Sequence, residues 1–189
     1  MSEKNKEKKE QFVIKTAVLT ISDKGSRGER EDLSGPVLEE MIKEVGGEIT
    51  DREIIADEKE EIQDSMVFLA DKKEVDLILT TGGTGFAERD ITPEATIEIL
   101  DKEVPGLPEK MRAATSQITP LAALSRARAG IRKNTLIINF PGSPKAVREC
   151  LESIIDIIPH GIKILKGTVT EHDHSHKGEH KHGHHHHTD

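Results

Sequence analysis

The sequence predicts an α/β fold: a three-layer α/β/α single domain around a mostly parallel sheet. Three observations predict it. Short β-branched apolar runs alternate with helix-patterned stretches from end to end. Most of the runs are continuously apolar, as strands covered by helices on both faces are. Apolar side chains are concentrated in residues 12–167, which leaves 156 residues for one sizeable core.

The elements follow in order. Residues 1–11 (MSEKNKEKKEQ) carry too little apolar surface to offset the entropy of ordering and read as a disordered charged arm. Residues 13–21 form a buried strand. Residues 34–45 place Val37, Leu38, Met41, Ile42 and Val45 at helical spacing, and Gly46-Gly47 ends that helix. Residues 48–56 alternate as a strand; Asp57 then opens a helix with Ile62, Met66 and Leu69 on one face. Residues 75–80 are a short apolar strand ending in Gly82-Gly83. Thr92 is the expected N-cap of the next helix, with Pro93 at its first position. Residues 105–125 are helical in part and broken around Pro120. Residues 135–140 form another buried strand, and Pro141-Gly142-Ser143-Pro144 turns into a helix expected to reach about Ile158. Pro159 interrupts it, and residues 161–166 add a short last piece.

Composition narrows the function classes. No apolar run approaches the roughly 20 residues of a membrane span. No apolar segment backs the charged N-terminus, so no secretory signal is expected. The single cysteine, Cys150, fits a reducing cytoplasm. With no Trp or Tyr and only four Phe, stacking of bases on an aromatic surface is not expected, and the net charge of −8 argues against general nucleic-acid binding. That charge is unevenly spread. Residues 12–104 hold 11 Lys/Arg against 24 Asp/Glu; residues 105–148 hold eight Lys/Arg against the single acid Glu109. Either the basic segment meets a polyanionic small molecule, or it complements the acidic part of the same protein or a second subunit.

Four motifs could carry chemistry, two of them where strands run into turns. Ligands of such sheets lie outside the carboxyl ends of the strands. Thr81-Gly82-Gly83-Thr84-Gly85 follows a strand, and its glycines let amide groups approach an anion. The pattern is neither a Walker A nor a GxGxxG sequence, and a turn without ligand is the plainer alternative. Pro141-Gly142-Ser143-Pro144-Lys145 also joins a strand to a helix; a helix N-terminus with Ser143 and Lys145 suits a phosphate, although by itself the motif favours Ser143 as a plain N-cap, and only two such turns at one sheet edge point to a shared anionic ligand. Asp57 follows the strand ending Ile54-Ile55-Ala56 and Asp90 follows the glycine loop; both fall where the ligand is expected, and two carboxylates there could hold Mg²⁺ against phosphates. Asp57-x-x-Glu60 is also a capping-box pattern, and Asp90 precedes the expected cap Thr92. Ser125 and Arg126, in Leu124-Ser125-Arg126-Ala127-Arg128, offer a hydroxyl and a guanidinium to a phosphate, or are simply solvated. No GxSxG elbow or Cys/His pair supports nucleophilic catalysis.

Residues 168–189 form a His-rich flexible tail. His172, His174, His176, His180, His182, His184, His185, His186 and His187 could chelate a transition metal without a fold. Either the tail is natural or it is a purification tag; the interrupted pattern favours a natural tail.

Taken together, TTGGTGFAERDITPEAT, PGLPEKMR, TPLAALSRARAGIR and LIINFPGSPKAVREC, with TISDKGSRGEREDLSGP before them, strongly resemble the MogA-like molybdopterin adenylyltransferase family, which includes the gephyrin G domain. The resemblance spans about residues 15–167. It implies a homotrimer that uses ATP and Mg²⁺ to adenylylate molybdopterin, releases pyrophosphate, and hands its product to a molybdate-inserting enzyme. The family's important acids match Asp57 and Asp90, its phosphate loop matches Gly82, Gly83, Thr84 and Gly85, and its Ser of the LSR motif matches Ser125. Its PGSP turn matches Pro141 to Ser143, and Ser22 sits in the matching ISD segment. The alternative within the same superfamily is a non-catalytic molybdopterin-binding carrier or scaffold of the MoaB type.

Overall fold

A computed structural model describes residues 12–168; the expected charged arm and the His-rich tail from residue 169 onward lie outside the described residues. The elements are β1 (Ile14–Ile21), α1 (Asp23–Ser26), α2 (Ser34–Glu44), β2 (Gly47–Ile55), α3 (Lys59–Asp71), β3 (Leu77–Thr81), α4 (Thr92–Ile99), β4 (Lys102–Glu103) and α5 (Gly106–Thr115). A 3₁₀ turn (Pro120–Leu124), β5 (Ala129–Arg132), β6 (Thr135–Phe140), α6 (Pro144–Glu152), a second 3₁₀ turn (Ile155–Ile157) and α7 (Ile158–Leu165) complete the described chain.

The strands form one sheet in the order β2-β1-β3-β6-β5-β4. β2, β1, β3 and β6 are mutually parallel, while β5 and β4 add an antiparallel edge. The expected α/β fold is therefore the observed one. Alternation along each central strand feeds two cores. Val18, Leu77, Leu79, Ile138 and Phe140 pack with α2, α5, α6 and α7 on one face. Ala17, Leu19, Ile78 and Ile137 pack with α3 and α4 on the other. Burial on both faces explains why these strands read as unbroken apolar runs.

Register brings the site together. Thr20 pairs with Ile54 and Thr81, and Thr81 with Phe140, so all four parallel strands end along one edge. From β1 the chain passes to β2 on one side, and β3 lies on the other. The crevice between the ends of β1 and β3 is thus the point where strand order reverses, the usual ligand position in such sheets.

Three local expectations are corrected. The helix expected to reach about Ile158 ends at Glu152, and a 3₁₀ turn separates it from α7. Pro159 lies in the first turn of α7 rather than breaking a helix, because no intrahelical bond needs its missing N–H there. Thr92 does not cap α4: Ile91 holds the N-cap position without a side-chain bond, and Thr92 is the first helical residue. The short elements α1, β4 and β5 had no periodicity long enough to read.

Candidate active site

Two cavities open at the carboxyl edge. A polar one of about 570 Å³ lies at the β1/β3 crevice and is lined by Ser22, Asp57, Thr81, Gly82, Arg30 and Asp32, among others. A more apolar one of about 590 Å³ lies beside it, between the Thr84-Gly85 segment, α5, the Pro120–Leu124 turn with Ser125, and the start of α6. Gly83, Asp90, Gly142 and Ser143 line both. Two ligands bound side by side would meet at those four residues.

The glycine loop is held by its carbonyls. Gly83 O accepts from Thr92 N (3.1 Å), Thr84 O from Arg126 N (3.0 Å), and Gly85 O from Arg126 Nε (2.8 Å). The amides of Gly83, Thr84 and Gly85 have no acceptor among the described residues, and neither do those of Gly142 and Ser143. Two strand-to-helix turns thus present amide donors without acceptors, as an oxyanion cradle requires. Gly82 and Gly83 hold φ of 103° and 65°. A Cβ at Gly82 would sit 2.3 Å from Ile21 O, and one at Gly83 would sit 2.3 Å from Thr92 Oγ1. Positive φ and these close contacts together require glycine. Thr81 Oγ1 donates to Pro141 O (2.7 Å), which joins the two turns. Thr81 is therefore a brace whose hydroxyl proton is already committed.

The two acids are better resolved than sequence allowed. Asp57 is not a helix cap: α3 starts at Lys59 with Glu58 at its N-cap and no side-chain capping bond, so the capping box does not form. Instead Asp57 Oδ2 accepts from Asp23 N (2.8 Å), and Asp23 Oδ1 accepts from Asp57 N (3.0 Å). Asp57 Oδ1 has no hydrogen-bond partner among the described residues and lies 3.2 Å from where a Gly83 Cβ would stand. Burial raises the Asp57 pKa above the ordinary range; the bond from Asp23 opposes the shift, and the Asp23 and Asp90 charges add to it. Asp90 Oδ2 accepts from Ala87 N (2.9 Å) and closes its own loop. Among the described residues no cluster of three or more His, Cys, Asp or Glu could cage a metal. A pair of carboxylates facing an anion cradle nevertheless fits Mg²⁺, which takes one or two carboxylates and completes its shell with phosphates and water.

The cations distribute differently from expectation. Arg126 spends its guanidinium on Gly85 O, on Asp90 O (2.6 Å) and on Glu94, and lies outside both large cavities. Lys145 pairs with Glu149 (3.8 Å) and lines neither. Arg128, Arg132, Lys133 and Arg148 pair with Glu103, Asp71, Asp71 and Glu40. Five residues of the basic segment thus complement the acidic part of the same chain, the plainer of the two readings of its charge. Ser125 caps the Pro120–Leu124 turn, and its Oγ accepts from Ala127 N (3.4 Å) at the wall of the apolar cavity. Ser22 caps α1 through Gly25 N (3.0 Å), Ser143 caps α6 through Ala146 N (3.2 Å), and Pro141 lines the apolar cavity.

Four residues passed over in the sequence matter here. Arg30 is the one cation lining the polar cavity, and it has no ion pair among the described residues. Asp32, with its side chain 3% exposed, accepts from Thr20 Oγ1 (2.7 Å), Ser34 N (3.1 Å), Gly35 N (2.9 Å) and Arg52 Nη2 (3.2 Å). Burial would raise its pKa, but those donors together lower it. Ser34 Oγ in turn donates to Gly142 O (2.7 Å). Arg89 binds Asp23 with two bonds of 2.8 Å. An Asp two residues before a helix start was the one local signal available, for Asp32.

A polar cavity at a strand-order switch, sharing a wall with a more apolar one, is where an α/β protein of this class holds its ligands. Residues 17–160 match the family described as "Probable molybdopterin binding domain", and the chain belongs to that family. It is 45% identical over 156 residues to the molybdopterin adenylyltransferase of Helicobacter pylori (strain J99), covering 82% of this chain and 89% of that one. It is 40% identical to the molybdopterin adenylyltransferase of Escherichia coli K12, over 79% of this chain and 80% of that one. Its fold is similar to that of the molybdopterin biosynthesis enzyme MoaB of Thermus thermophilus (TM-score 0.79, 47% identity, 82% of this chain and 98% of that one).

Proposed function

We propose that this chain is a molybdopterin adenylyltransferase of molybdenum cofactor biosynthesis. The observation that carries the proposal is the pair of amide-bearing turns with Asp90 at the wall common to two cavities and Asp57 beside it on the polar side. Identity of 40–45% to named adenylyltransferases over most of the chain supports it.

ATP lies with its phosphates along the polar cavity, and molybdopterin enters from the apolar one. An oxygen of the pterin's terminal phosphate attacks the α-phosphorus of ATP. The bond from that phosphorus to the α–β bridging oxygen breaks, and pyrophosphate leaves with the bond's electron pair. The attacking phosphomonoester is already anionic at neutral pH, so no side chain needs to remove a proton. The work of the protein is positioning and charge stabilisation. Amides of Gly83, Thr84 and Gly85 hold one set of phosphate oxygens, and those of Gly142 and Ser143 hold another. Arg30 faces the polyphosphate. Two like charges 4 Å apart repel by about 4 kcal/mol at an effective dielectric of 20. The four acids on the cavity wall, Glu31, Asp32, Asp57 and Asp90, therefore need offsetting. Asp57 and Asp90 would hold Mg²⁺, which when bound screens the phosphates and stabilises the departing pyrophosphate.

The same reading takes residues 12–167 as the adenylyltransferase domain of a cytoplasmic homotrimer that hands its product to a molybdate-inserting enzyme. Its support is the family resemblance, a single buried cysteine, and the absence, among the described residues, of a helix long and apolar enough to cross a membrane. The His-rich tail is taken as a separate metal-binding segment.

A non-catalytic molybdopterin-binding carrier or scaffold of the MoaB type is the second reading; the likeness to a Thermus thermophilus protein named MoaB brings in that branch, although that protein is itself named an enzyme. Pyrophosphate release from Mg²⁺ and ATP, with and without molybdopterin, separates the two. Release that requires molybdopterin supports the transferase; bound molybdopterin without release supports the carrier.

A further inference from the structure

Arg89 is the residue immediately before Asp90, and Glu58 the residue immediately after Asp57. Arg89 Nε and Nη2 donate to Asp23 Oδ2 and Oδ1, each at 2.8 Å, and Nη2 also donates to Glu58 Oε1 at 2.8 Å. The same Asp23 exchanges backbone-to-carboxylate bonds with Asp57 in both directions. One guanidinium therefore ties together three loops that are far apart in sequence: the turn after β1, the turn after β2, and the loop after β3.

We propose that Arg89 is a positioning residue that sets Asp57 and Asp90 against each other, acting through Asp23. The inference rests on the adenylyltransferase reading for its kinetic consequence but not for its geometry. Asp57 Oδ2 is fixed by Asp23 N, which leaves Oδ1 turned toward Gly83 and the shared wall of the two cavities. Asp23 keeps that orientation because both of its oxygens are held in a planar fork, which a lysine cannot reproduce. The guanidinium also brings a positive charge beside a group of three carboxylates that would otherwise repel one another. Arg89 is 52% exposed, as is its partner Glu58 at 55%, so the latch adds little to global stability. Its effect is local geometry, and misplacement of a reacting group by an ångström costs about 10²-fold in rate.

The test compares wild type with Arg89→Gln, Arg89→Lys and, as a control, Arg27→Gln, which removes a guanidinium and the exposed Arg27–Glu29 pair at the other end of α1 without touching the fork on Asp23. Amide hydrogen exchange at Asp23 and Asp57 is read alongside kcat, the KM for ATP and the melting temperature. Arg89→Gln should speed exchange at both amides and lower kcat by about 10²-fold, with KM and melting temperature nearly unchanged. Arg89→Lys should recover only part of kcat, and Arg27→Gln should change nothing. Unchanged exchange at Asp57 in Arg89→Gln, or full kcat in that variant, overturns the latch. If wild type itself releases no pyrophosphate, the adenylyltransferase reading fails, and exchange at Asp57 still decides the latch.

Discussion

The hydroxyl of Ser34, at the start of α2, donates to the carbonyl of Gly142 across 108 positions of sequence. With Thr81 Oγ1 on Pro141 O, it pins both peptide oxygens of the turn after β6, so that the amides of Gly142 and Ser143 face the cavity. Ser34→Ala should cost about 1 kcal/mol of stability. The double variant with Thr81→Val should raise the KM for ATP more than the two single variants predict together. Thermal melts and steady-state kinetics check this; additive effects would mean that the two hydroxyls act independently.

The pKa of Asp57 is raised, first by burial and then, against the bond from Asp23, by the Asp23 and Asp90 charges. The folded state therefore holds that proton more tightly than the unfolded chain does. Stability falls as pH rises from the ordinary carboxylate value through the raised one, and the ionised side chain is a burden at pH 7. Asp57→Asn should melt at the same or a higher temperature at pH 7 while losing turnover by at least about 10²-fold. A lower melting temperature with retained turnover would make Asp57 a structural residue.

Gly83→Ala puts a methyl group at φ 65°, against Thr92 Oγ1 and Asp57 Oδ1. It should cost about 1–3 kcal/mol and also abolish turnover, because the loop that yields carries the phosphate-facing amides. Urea unfolding and pyrophosphate release measure the two effects separately.

Arg30→Ala should raise the KM for ATP by about tenfold, the value of one charge-assisted hydrogen bond, with the melting temperature unchanged. An unchanged KM would assign the phosphate charge to the bound metal and the backbone amides alone.

Arg132, by hydrogen bonding, holds the Asp71 carboxyl below its ordinary pKa at the junction of α3 with the antiparallel edge. Stability from this pair is present above about pH 4 and is lost as pH falls through the lowered value in the fold. Asp71→Asn should therefore lower stability at pH 7 and flatten its decline under acid. Chemical denaturation at pH 7 and at successively lower pH values tests both.

Much of the candidate site was legible because its chemistry lies at chain punctuation. Glycine turns after apolar runs and acids after strand ends mark where a parallel sheet meets its ligand, and all of Gly82, Gly83, Asp57, Asp90, Gly142 and Ser143 reach one crevice. Two expected partners differ from the observed ones for one reason. Lys145 suits a phosphate because it follows the turn over residues 141–144, and Arg126 because its guanidinium stands beside Ser125, yet Arg126 is consumed by Glu94 and two loop carbonyls. Asp57 looked like a cap because its spacing to Glu60 suits one, yet its carboxylate turns to Asp23. For Arg126 and Asp57 a competing partner, not visible in the motif, took the group; Lys145 instead points to solvent near Glu149, one helical turn on.

Local pattern by itself determined the order of the long strands and helices, the parallel sheet and the edge at which the candidate site lies. Those follow from side-chain periodicity and backbone chemistry, which act over a few residues. Tertiary structure alone decided which charges are free and which are spent. Arg30, outside every phosphate-binding motif singled out in the sequence, lines the cavity, whereas Arg89 and Asp23 meet across 66 positions to hold Asp57. A charge is satisfied by whatever lies within a few ångströms of it, and in a parallel sheet with long crossovers those neighbours come from different loops.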